Sequence, residues 1–136
     1  MIDRLTSTFD FHAAALKLRA ERSRVLASNI ANADTPHYKA RDFDFRTALV
    51  AAVGEQSLRA ATVPVRTNAA HLAASGGASG APTLLYRTPL QTSLDGNTVD
   101  LDRERANFAE NTVRYEASLR FLNGQIRTLL AAINGQ

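Results

Sequence analysis

From Leu101 to Ile133 the chain repeats a step of four and then three residues without a slip, through Leu101, Arg105, Phe108, Thr112, Tyr115, Leu119, Leu122, Ile126, Leu129 and Ile133. Such a 3.5-residue period predicts an α-helix that lays one seam along another helix, because a strand would alternate every second residue. Eight of the ten positions are apolar or aromatic, so Phe108, Tyr115, Leu119, Leu122, Ile126, Leu129 and Ile133 form the expected assembly seam. Val113, Leu130, Ala106 and Ala109 widen the apolar surface beyond what one partner helix covers. Asp100, Asp102 and Glu104 suit the positive N-terminal end of this helix, and Asn134-Gly135 stops it.

The opposite end of the chain carries a second helical stripe. Ile2, Leu5, Phe9, Ala13, Leu16, Ala20, Ser23, Ala27 and Ile30 are all spaced by three or four. At 1.5 Å per residue they predict a helix about 40 Å long. Pro36 pushes Thr35 out of the helical region, so this helix ends near Asn32 or Ala33. Asn29 and Asn32 then share a face, with amides offered either to a partner helix or to the freed carbonyls of the last turn.

The middle differs. Asp42 to Val53 reads as an extended start followed by a short helix ended by Gly54. Ser75 to Pro82 is a flexible linker by composition, Leu84 to Thr88 a short strand before Pro89, and Asp95-Gly96-Asn97 a turn. The expected fold is therefore mainly α: long N- and C-terminal helices paired as a coiled-coil hairpin, with a short irregular middle segment containing a little β. The boundaries are 1–33, 34–98 with its linker at 75–82, and 99–136, the two terminal segments forming one helical domain. A lone pair of such helices leaves apolar faces uncovered, which points to self-assembly.

Composition narrows the function. Hydrophobic residues make up 45% of the 136, but alanine is a large share and tryptophan is absent, so the core is thin and suited to close helix packing. There is no cysteine, hence no disulfide framework and no thiol metal site. The net charge of +3 is distributed as +3 over residues 1–41, +1 over 42–94 and −1 over 95–136, without any run of Lys or Arg and without interleaved aromatics. That pattern is solvated and inter-subunit surface, and nucleic-acid binding is a poor second.

Catalytic and metal chemistry find no support. His12, His37 and His71 have no metal-ligand spacing. Asp95 to Asp102 fails as a calcium loop, since Val99, Asp100 and Ala106 occupy positions that need a ligand, a glycine and a glutamate. No nucleophile triad and no phosphate loop occur, so no cofactor and no small-molecule substrate are expected. Neither a signal-peptide core nor a run of about eighteen apolar residues is present.

Leu26-Ala27-Ser28-Asn29-Ile30-Ala31-Asn32-Ala33-Asp34-Thr35-Pro36-His37-Tyr38-Lys39 resembles the N-terminal signature of bacterial flagellar axial proteins, written ANxxANxxTxGY. Asp34-Thr35-Pro36, Ala40-Arg41-Asp42 and the block Ser93 to Glu104 narrow the likeness to the proximal rod family of the basal body, the FlgB type. With both terminal helices it covers about half the chain, and it makes Asn29, Asn32, Thr35, Pro36 and Tyr38 the assembly motif. One departure is His37, where the family usually has glycine; glycine reaches positive φ freely and histidine only occasionally, so a different turn is expected here.

The resemblance implies a non-enzymatic structural subunit of the periplasmic proximal rod, exported through the flagellar type III apparatus without a cleavable signal peptide and needed for motility. Its implied partners are copies of itself, other rod proteins, the rod-to-ring adaptor, the membrane ring and the export gate. The alternative is a small cytoplasmic helical adaptor or chaperone that oligomerises through the same heptads.

Overall fold

The computed structural model describes residues 2–61, 82–89 and 93–135. In chain order these form α1 (Ile2–Ala31), β1 (Arg41–Asp42), α2 (Phe45–Ala61), β2 (Leu85–Tyr86) and α3 (Leu101–Asn134). The linker expected at 75–82 lies outside the described residues except for Pro82, as does His71. No described helix is long and apolar enough to cross a membrane.

α1 and α3 pack against one another in antiparallel fashion. Asn29 meets Glu104 at one end, Ser23 meets Asn111 further along, and Phe9 and Leu129 line one cleft towards the other end. The ends of α3 are as expected. Asp100 accepts from the Arg103 N–H at 3.1 Å, and Gly135 takes a left-handed φ of 70° with its N–H on the Ala131 carbonyl.

α2 forms a second layer on α1. Leu18 and Val25 of α1 make a small core with Phe43, against which Phe45, Ala48, Leu49 and Ala52 pack from one stripe of α2. Asp44 caps α2 by accepting from the Arg46 N–H at 3.1 Å and from the Thr47 hydroxyl. Arg19 of α1 lies over the Phe45 ring, 4.3 Å from its centre. β1 and β2 pair antiparallel, with Arg41 opposite Tyr86 and Asp42 opposite Leu85.

Three expectations are corrected. α2 does not stop at Gly54 but runs through it to Ala61, because a glycine weakens a helix by only about 1 kcal/mol relative to alanine and does not break it. In α1 the expected stripe is misplaced: Ala13 and Ala27 are exposed, while Ala15, Leu18, Val25, Leu26 and Asn29 are buried. In so alanine-rich a helix several faces satisfy the same step, and α1 has to face α3 on one side and α2 with β1 on another. The side chains of Ile2 and Leu5 lie outside what is described. His37 is the third correction, since it adopts φ 60° and keeps the left-handed turn that a glycine would give.

Candidate assembly junction

The end of α1, the loop after it and the start of α3 meet at one junction. Beyond Ala31 the chain cannot continue as helix into Pro36, so its last carbonyls lack helical donors. Asn32 Nδ2 donates to the Ser28 carbonyl at 2.8 Å, and Asn32 Oδ1 accepts from the Thr35 hydroxyl at 3.2 Å. The carbonyls of Asn32, Ala33 and Thr35 converge on Asn97 Nδ2 at 3.0, 2.7 and 2.9 Å.

Two left-handed residues let the loops approach. Gly96 has φ 71°, and a Cβ there would lie 3.0 Å from His37 Nδ1, a contact that only glycine avoids. Backbone bonds then join the loops: the His37 N–H donates to the Asp95 carbonyl and the Thr98 N–H to the Tyr38 carbonyl, each at 3.0 Å. The Ala40 N–H donates to Thr98 Oγ1 at 2.8 Å, and Lys39 Nζ to the Gly96 carbonyl at 2.8 Å.

Asn29 is fully buried and uses its whole amide. Nδ2 donates to the Arg41 carbonyl at 2.7 Å and to Glu104 Oε2 at 3.1 Å; Oδ1 accepts from the Arg41 N–H at 3.2 Å and from the Tyr38 hydroxyl at 3.3 Å. All four positions of the amide are filled. One side chain thus ties α1 to β1, to the loop and to α3.

An ionic chain continues from there. Glu104, 1% exposed, pairs with Arg87; Arg87 also pairs with Asp42; and Arg22 grips Asp42 through Nε at 3.2 Å and Nη2 at 3.0 Å. Burial pushes the Asp42 carboxyl up, but the hydrogen bonds from Arg22 and the Phe43 N–H, with the charges of Arg22 and Arg87, outweigh it and hold Asp42 below its ordinary range. The hydrogen bond to Asp42 raises Arg22 in turn. Two carboxylates and two guanidiniums link α1, β1, the residue that follows β2, and α3.

The structure gathers Asn29, Asn32, Thr35, Pro36 and Tyr38 in this junction, together with the Asp95 to Glu104 block. The C-terminal seam is only partly covered. Phe108, Tyr115, Leu122 and Leu129 are half-buried, whereas Leu119, Ile126 and Ile133 are 38, 40 and 78% exposed. Glu104 and Asn111 are buried in their stead, outside the expected seam. Their seven-residue spacing, continued by Ser118 and Gln125, is the sequence signal for this second face. Arg22 and Arg87 carry no such signal, since their partners are distant in the sequence, whereas Asp42 and Asn97 lie in the blocks that carry the family resemblance.

Paired terminal helices, a small side layer and a polar junction that ties them together define a mainly helical protein. A profile described as "Flagella basal body rod protein" matches residues 9–39. Along nearly the whole chain the protein is similar to proteins named "Flagellar basal body rod protein FlgB". It is 44% identical to that of Proteus mirabilis over 98% of both chains, and 44% identical to that of Salmonella typhimurium over 99% of both. With that of Cereibacter sphaeroides the identity is 51% over 92% of both. The chain belongs to the FlgB family of flagellar basal body rod proteins.

Proposed function

We propose that this protein is a structural subunit of the proximal rod that self-assembles axially through its terminal helices and transmits torque, without chemistry of its own. In this reading residues 1–33 and 99–136 are one rod-forming domain and residues 34–98 add outer contacts that resist shear. Copies of the chain, other rod proteins, the rod-to-ring adaptor, the membrane ring and the export gate are its neighbours. It reaches the periplasm through the flagellar type III apparatus.

The observation that carries the reading is the stripe of Leu119, Ile126, Leu130 and Ile133 along α3, all large, apolar and exposed beside a tightly tied junction. A continuous apolar stripe on a helix favours burial against another chain. Head-to-tail use of such a stripe propagates helically and builds a rod.

The test is Ile126→Asp, which places an unpaired carboxylate in the stripe. Basal bodies isolated from cells making this variant should lack the rod, and the cells should not swim. Normal rods and swimming would remove the stripe from the assembly.

A further inference from the structure

α3 offers two seams to α1. Both contain Leu101, Phe108, Tyr115, Leu122 and Leu129; one adds Arg105, Thr112, Leu119, Ile126 and Ile133, the other Glu104, Asn111, Ser118 and Gln125. They differ by a rotation of about 50° about the helix axis. Apolar burial favours the first, which contains three large aliphatic side chains where the second has none. The folded chain uses the second: Glu104 and Asn111 are each 1% exposed, and Ser118 and Gln125 are half-buried.

Specific polar bonds hold that rotation. Asn111 Nδ2 reaches across to the Arg19 carbonyl at 2.9 Å and to Ser23 Oγ at 2.8 Å, both on α1. Glu104 is held by Asn29 and Arg87. Stability alone does not account for the choice, because among the described residues Asn111 Oδ1 and Gln125 Oε1 are buried without a hydrogen-bond partner. Towards the far end, a cleft of about 390 Å³ lies beside Gln125, between Phe9 and Leu129. A buried polar residue that sacrifices stability and fixes geometry is the known behaviour of asparagine in helix seams.

We propose that Asn111 and Glu104 are positioning residues that set the rotation of α3, turning its polar heptad series onto α1 and keeping its apolar stripe outward. Only the use of that stripe by a second subunit rests on the rod reading. Without the two residues, α3 turns towards its apolar seam and Leu119 and Ile126 become covered within the chain.

The absence of cysteine allows single thiol reporters. Ser118→Cys and Leu119→Cys are made separately, and maleimide modification of the purified chains is followed alongside helical circular dichroism. In the otherwise unchanged chain, the Leu119→Cys protein should react about tenfold faster than the Ser118→Cys protein. Adding Glu104→Leu with Asn111→Leu should bring that ratio to about one or invert it, and Asn111→Ala alone should lower it at least about threefold. An unchanged ratio at full helicity overturns the proposal. Loss of helicity in both backgrounds overturns it as well, because the two residues then support folding and not rotation. Protection of Leu119→Cys inside isolated basal bodies is a separate reading, which tests the rod assignment without touching the rotation.

Discussion

Three carbonyls of the loop after α1, those of Asn32, Ala33 and Thr35, converge on the single amide nitrogen of Asn97, which sits buried more than sixty residues away in sequence. Asn97→Ala should therefore destabilise the chain by about 1–3 kcal/mol in urea unfolding, and Asn97→Asp, which sets an acceptor against those acceptors, by more. His37 is a milder case. It holds φ 60°, where histidine is tolerated and a β-branched residue is strained, so His37→Gly should leave stability within about 1 kcal/mol while His37→Val loses about 1–2 kcal/mol. Asp42 gives the junction its acid sensitivity. Its folded value lies below its unfolded one, so its contribution is complete above the unfolded carboxylate value and is lost as pH falls through the folded value. Unfolding followed below about pH 4 should show an acid-dependent loss that Asp42→Asn flattens.

At the scale of elements, α2 and α3 each depart from their simplest reading for a different reason. Gly54 lies inside α2, and a Cβ added there meets nothing within 4 Å. Gly54→Ala should raise stability by about 0.5–1 kcal/mol, measured by thermal or urea unfolding, since it removes only the entropy of glycine. In α3 the apolar period was legible from sequence and its inward face was not. Leu119, Ile126 and Ile133 satisfy the heptad as well as Glu104, Asn111 and Gln125 satisfy its alternative, and the choice rests on partners contributed by α1. Ile126→Asp should accordingly leave the unfolding of the isolated chain within about 0.5 kcal/mol, as for an ordinary surface change, while removing the rod from basal bodies.

Across the whole molecule, the sequence alone determined the existence and ends of the two long helices, the break at Pro36, the strand near Leu85 and the family. These follow from local rules: proline removes a donor, glycine supplies positive φ, and a 3.5-residue period marks a helix that packs. Only the tertiary structure decided that the two family motifs are halves of one junction, joined by Asn97 above the buried Asn29. It also decided which faces of α1 and α3 turn inward. Periodicity shows that a helix has a packing face, but in alanine-rich α1 and in α3 with two competing heptads the face is selected by its partners. Those partners are Glu104 for Asn29, Arg87 for Glu104 and the Arg19 carbonyl for Asn111, and folding alone brings them within hydrogen-bonding distance.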